Sequence, residues 1–262
     1  MLDLELAQSQ LTELGLGHMA ELLEAKVSSA TEKDLSYLAF LSELLGVEIE
    51  SKRKRTYEIR LQTAGLPFRK SFSDFDFNFC PSIDKAFISE LRSLAFISSA
   101  TNLVLLGPPG VGKTHISVAL GLEAIAGGFS CYFTTLSKIA NDLSSSYSPT
   151  KMRKYTSPKV LIIDEMGYRP LDKVAANYFF DIISARYETG TVILSSNKGF
   201  SEWGDVFSDQ VLSTAILDRL LHHCHVINIK GNSYRLKDRI KQGIYTNPQT
   251  GDNAKKGEEV GK

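Results

Sequence analysis

Gly107-Pro108-Pro109-Gly110-Val111-Gly112-Lys113-Thr114 fits G-x-x-x-x-G-K-[ST]. It stands where such a loop has to stand, between the apolar run Asn102 to Leu106 and a helical stretch beginning near His115. Its glycines let backbone N–H groups turn inward around phosphate oxygens, and the helix N-terminus behind them adds partial positive charge. Lys113 is expected to reach the β- and γ-phosphates of ATP and Thr114 to offer an oxygen to Mg²⁺, with His115 completing the nucleotide-binding run.

Working outward, Val160-Leu161-Ile162-Ile163 is an apolar strand that ends in Asp164-Glu165, two carboxylates at the carboxyl edge of a parallel sheet. Asp164 is expected to orient the metal and its water. Glu165 points differently from its neighbour and is expected to polarise an attacking water, which implies hydrolysis rather than nucleotide storage. In Leu194-Ser195-Ser196-Asn197 a neutral amide could hold the lytic water or the γ-phosphate, although an Asn after a strand is, taken alone, usually a turn former.

These segments belong to a series of short apolar runs alternating with helical stretches, as parallel α/β units require. The expected strands are Asn102 to Leu106, Cys131 to Thr134, Val160 to Ile163, Thr191 to Ser196 and Val226 to Ile229, forming one five-stranded parallel sheet flanked by helices. Asp172 should cap a helix whose Val174, Tyr178, Phe179, Ile182 and Ile183 share one face, with Gly190 closing it. After Ile229 only 33 residues remain, about half of them a polar tail, so a lid of one helix at most is expected.

The first seventy residues show helical spacing and no strand pattern. Leu11, Leu14, Met19, Leu22 and Leu23 recur three and four apart, and a break is expected near Ser28 to Thr31. A second helix, capped by Thr31 with Asp34, should carry Leu38, Leu41, Leu44 and Leu45 and end at Gly65-Leu66-Pro67. Ser71 to Pro81, with Phe72, Phe75, Phe77 and Phe79, reads as a linker pinned by aromatic burial. The expected organisation is therefore a helical domain over 1–70, a linker and leading helix over 71–100, an ATPase domain over 101–245 and a polar tail over 246–262.

With 43% hydrophobic and 23% charged residues the chain belongs with ordinary globular proteins, and 262 residues suit one or two domains. Asp3 and Glu5 stand where a signal peptide needs positive charge, so a cytoplasmic location is expected. Cys80, Cys131 and Cys224 are few and far apart, and no disulfide is expected. Four adjacent residues, His222-His223-Cys224-His225, cannot all converge on one tetrahedral metal, so no metal site is expected there. Thirty basic and thirty acidic side chains cancel, yet residues 1–50 hold two basic and ten acidic ones, whereas 51–70 hold seven basic and one acidic.

The phosphate loop resembles that of the IstB-like ATPases, and so do four further runs: Ile162 to Tyr168, Ser195-Ser196-Asn197, Ala215 to His223 and Ile229 to Arg235. These are AAA+ helpers of insertion-sequence transposition related to the DnaC helicase loaders, and the resemblance extends to about Tyr245. It implies an AAA+ P-loop NTPase fold, with Asn197 as sensor 1, Arg235 as sensor 2 and Arg219 as an arginine finger. Arg219 would complete the ATP site of a neighbouring subunit in a homo-oligomer; the alternative for it is a structural salt bridge with Asp218 or another acid.

The partners implied are a cognate transposase and duplex DNA bound without base reading, or, in the alternative, a replicative helicase. Candidate phosphate contacts are Lys52, Arg53, Lys54, Arg55 and Arg60, read with Arg69 and Lys70 as a basic stripe, and a second cluster of Lys151, Arg153, Lys154 and Lys159. A solvated helix face balancing the acidic helix is the competing reading of the first run. The small lid suggests assembly through the N-terminal helices and nucleotide, as an open spiral rather than a tight ring.

Overall fold

The computed structural model describes residues 2–144 and 148–237, so the expected tail and most of the expected lid lie outside the described residues. The chain divides into two compact units at Gln62/Thr63 rather than near residue 70. Residues 63–66 belong with the second unit, where Phe133 N–H donates to Ala64 O at 2.7 Å. That bond blunts an outer strand of the sheet, which otherwise presents unpaired backbone groups.

The first unit is α1 (Leu2–Glu13), α2 (Gly17–Glu32) and α3 (Tyr37–Thr63). The chain turns at Gly15, in the left-handed region, and again at Asp34, not at Ser28 to Thr31. Thr31 Oγ1–H donates to Val27 O inside α2, so it caps nothing, and Ser36 Oγ instead accepts Ala39 N–H at the start of α3. Met19, Leu23 and Leu44 form the small core, with Leu4, Leu11 and Phe40 packed on it. Leu14, in the turn after α1, and Leu38, Leu41 and Leu45 of α3 are exposed, contrary to the expected apolar faces. Glu48 of α3 is buried and accepts Met19 N–H at 3.0 Å, placing a carboxylate on the positive end of α2.

The second unit runs through α4 (Lys85–Leu91), α5 (Ala95–Ser98), β1 (Asn102–Leu106), α6 (Lys113–Ala126), β2 (Cys131–Thr135), α7 (Leu136–Ser144), α8 (Pro149–Thr156), β3 (Val160–Met166), α9 (Lys173–Arg186), β4 (Thr191–Ser196), α10 (Trp203–Phe207), α11 (Gln210–His222) and β5 (Cys224–Asn228). The strands are all parallel in the order β2-β3-β4-β1-β5. Both faces are covered, which is why the strands read as continuous apolar runs. Leu161, Ile163, Val192 and Leu194 face a core shared with α7, α9 and α11, while Ile162 points the other way onto Gly121 of α6.

Two local expectations shift. Pairing with β1 begins where Asn102 N–H donates to His223 O, so β5 opens two residues before Val226; as an edge strand it carries a polar start that periodicity does not flag. Asp172 Oδ1 accepts Ala175 N–H at 2.7 Å and fixes the phase of α9 so that Ala175, Ala176, Phe179 and Ile183 face the core and Val174 is exposed. Among the described residues no helix is long and apolar enough to cross a membrane.

Candidate functional site

At the carboxyl end of the sheet a cleft of about 330 Å³ is lined by Pro109 to His115, Asp164, Glu165, Ser195 and Asn197. Phe68, Phe75, Tyr168, Tyr234 and Arg235 complete its walls. This is the crevice where doubly wound sheets place phosphates.

The loop backbone is held by neighbours on both sides. Gly112 has φ 100° and starts α6; a Cβ there would come within 2.6 Å of Phe75 Cε2. Only glycine combines that dihedral with that contact. Gly110 O accepts Tyr234 N–H at 2.9 Å, and Cys80 Sγ–H donates to Val111 O. Lys113 is buried and its Nζ donates to Gly107 O and Pro108 O at 2.6 and 2.8 Å. Gly107 and Pro108 thus act from outside the cleft wall, steadying the lysine. Burial pulls the Lys113 pKa below the usual lysine value, Asp164 opposes that pull, and nearby Arg235 adds to it.

Asp164 is buried, and Thr114 Oγ1–H donates to its Oδ2 at 2.8 Å. Adjacent residues of a regular strand face opposite sides, yet Asp164 and Glu165 both line the cleft. The reason is a β-bulge. Ile163 pairs with Leu194 and Met166 with Ser196, leaving two residues of β3 opposite Ser195, and Glu165 sits at φ 62°. Thr114 and Asp164 bring hard oxygen donors together beside the lysine, a donor set that fits Mg²⁺. Asn197 lines the cleft with its Oδ1 buried beside Gly167 and, among the described residues, unpartnered.

The aromatic wall of the cleft was not legible as a site in the sequence. Phe75 and Phe68 meet His115 edge to face, Phe79 meets Tyr234 likewise, and His115 Nε2–H donates to Ser71 O at 2.8 Å. His115 is therefore a structural post at the rim. The alternating phenylalanines of 72–79 signalled burial, but nothing local said what they bury against.

Other candidates lie elsewhere. Arg219 does not line the cleft; its guanidinium sits 4.4 Å from the Phe180 ring centroid, and no carboxylate pairs with it among the described residues. Lys52 to Arg55 are exposed on the uninterrupted helix α3, where four successive residues fan around about three quarters of a turn. They form a collar on α3, which also carries Arg60, while Arg69 and Lys70 of the expected stripe follow in the second unit. Lys154 pairs with Asp142 at 2.8 Å and Lys151 donates to Asp142 O, tying α8 to α7 and leaving Arg153 exposed. His222 and His223 come within 4.8 Å of Glu188, all three exposed, while His225 turns away onto Phe87.

A sequence profile of the IstB-like ATP binding protein family matches residues 9–242. The chain belongs to that family. As an IstB-like protein it is 42% identical over 244 residues to an IS21 insertion-sequence ATP-binding protein of Pseudomonas aeruginosa, covering 92% of each chain. It is 45% identical over 233 residues to the IS5376 counterpart of Geobacillus stearothermophilus, covering 87% of this chain and 93% of that one. Among solved structures, the DnaI crystal structure superposes with TM-score 0.52 at 22% identity, over 63% of this chain and 90% of that chain, a likeness of fold. The IstB-like fold is thus an AAA+ P-loop sheet flanked by helices, preceded along the chain by a three-helix unit.

Proposed function

We propose that this IstB-like protein hydrolyses ATP, assembles on duplex DNA, and delivers or activates a transposase at target DNA during insertion-sequence transposition. One observation carries the hydrolytic part: the bulge in β3 turns both Asp164 and Glu165 into the cleft that holds Lys113 and Thr114. Lys113 binds the β- and γ-phosphates, Asn197 holds the water, and Glu165 takes its proton. Thr114 and Asp164 would hold Mg²⁺, which would supply charge neutralisation on the triphosphate. Arg219, half-buried and stacked on Phe180 away from its own cleft, completes the site of a neighbouring subunit in trans.

The insertion-sequence names of the relatives support the transposition setting, and the collar of cations on α3 supports contact with phosphates. Light scattering of the purified chain with duplex DNA tests the whole reading. A large complex that needs ATP, and that shrinks as phosphate is released, is the expected result. Protein that stays monomeric with both ligands present overturns it.

A further inference from the structure

Ser195 is a buried serine in β4 that faces the two bulged residues of β3. Its hydroxyl makes two bonds at once: Oγ–H donates to Asp164 Oδ1, and Oγ accepts Glu165 N–H at 3.2 Å. With Thr114 on Oδ2, both oxygens of Asp164 are engaged. Glu165, by contrast, is exposed, holds a left-handed φ of 62°, and interrupts the ladder between Ile163 and Met166. A non-glycine residue holds that region only where the surrounding structure over-determines it.

The Glu165 amide donates to the Ser195 hydroxyl across the interrupted ladder. We infer that Ser195 is a positioning residue: by bridging the Asp164 carboxylate and the Glu165 amide, it holds the bulge in the shape that aims Glu165 into the cleft. The inference rests on the hydrolytic reading above and extends it. The Ser195 hydroxyl thereby ties the position of the Glu165 backbone to that of the Asp164 carboxylate. Lys113 and the glycine loop, which hold the phosphates, do not bond Ser195.

The test compares wild type, Ser195→Ala and Ser195→Thr in DNA-stimulated phosphate release, with ADP affinity by calorimetry and the thermal midpoint measured on each. Ser195→Ala should lower kcat by about tenfold to a hundredfold, the scale of a small misplacement of a reacting group. ADP affinity and KM should stay within about threefold, because phosphate binding is untouched. Ser195→Thr, which returns the hydroxyl, should recover most of the rate, and Ser195→Ala should cost nothing further in a Glu165→Gln background. Wild-type kcat in Ser195→Ala overturns the inference, as does a loss of ADP affinity equal to the loss of rate. So does a Ser195→Thr that melts like wild type yet turns over as slowly as Ser195→Ala. Wild-type protein without turnover overturns the hydrolytic reading itself, and this inference with it.

Discussion

Lys237 Nζ lies 2.6 Å from Asp76 Oδ2, although 161 positions separate them in the chain. Each belongs to a segment that touches the phosphate loop: Phe75 and Cys80 on one side, Tyr234 on the other. Lys237 also lies over the rings of Phe79 and Tyr234. The ion pair therefore latches together two walls of the cleft.

Asp76→Asn should open that latch and speed ADP release by about twofold to fivefold, the range of an ion pair this exposed, as read by stopped-flow displacement. The hydrogen bond from Lys237 holds the Asp76 carboxyl below the usual carboxylate value, and the same bond raises Lys237. For Asp76 the stabilisation is present above the ordinary carboxylate range and is lost as pH falls through its lowered value. For Lys237 it is complete below the ordinary lysine value and is lost as pH rises through the raised one. Release should thus be insensitive to pH across the neutral range and accelerate in acid; acceleration near pH 7 would contradict the latch.

Binding and hydrolysis should separate cleanly by residue. Lys113→Ala should abolish the calorimetric signal of Mg-ATP, since the buried ammonium faces the phosphate cradle. Glu165→Gln should keep that signal and lower turnover by about 10²-fold or more. Unchanged hydrolysis in Glu165→Gln would remove Glu165 as the base.

Arg219→Ala should cost about 10³-fold in turnover if it acts as a finger across subunits. Mixing Arg219→Ala with Glu165→Gln should then restore activity, because some interfaces pair an intact Arg219 with an intact Glu165. A mixture as inactive as its parts would confine Arg219 to its own subunit, stacked on Phe180.

Arg186 tests the fold rather than the chemistry. It is buried, and its two terminal nitrogens donate to five backbone carbonyls: Tyr155, Thr156, Pro158, Lys159 and Thr191. Burial pulls its pKa down to about 10, so it is charged at neutral pH and answers the negative end of α8. Arg186→Met should destabilise the chain by on the order of 3 kcal/mol in urea unfolding, since five carbonyls lose their donor. A change under about 1 kcal/mol would mean that water replaces it.

For DNA, the informative variant is Arg53→Ala with Lys54→Ala and Arg55→Ala. Lys52 is spared because its Nζ lies 3.6 Å from buried Glu48, so removing it would also disturb α2. The triple variant should weaken duplex binding and lower the salt slope by about 0.9 for each phosphate that is no longer neutralised. An unchanged slope in a gel-shift titration would place the DNA elsewhere.

The phosphate loop, the end of β3 at Asp164 and Glu165, and all five strands were legible in residue order. Phosphate chemistry demands fixed residue types at fixed spacing within a few positions, and a strand covered on both faces shows itself as an apolar run. The aim of Glu165 was not legible. It depends on a bulge set by pairing with Ser195, thirty residues away, and register across a sheet leaves no mark in the local pattern. The same holds for Phe75 on Gly112 and Tyr234 on Gly110, and for the helix turns at Gly15 and Asp34. Such contacts join segments by shape, so their partners are settled when the chain packs, whereas the sequence alone settles the chemistry each segment can offer.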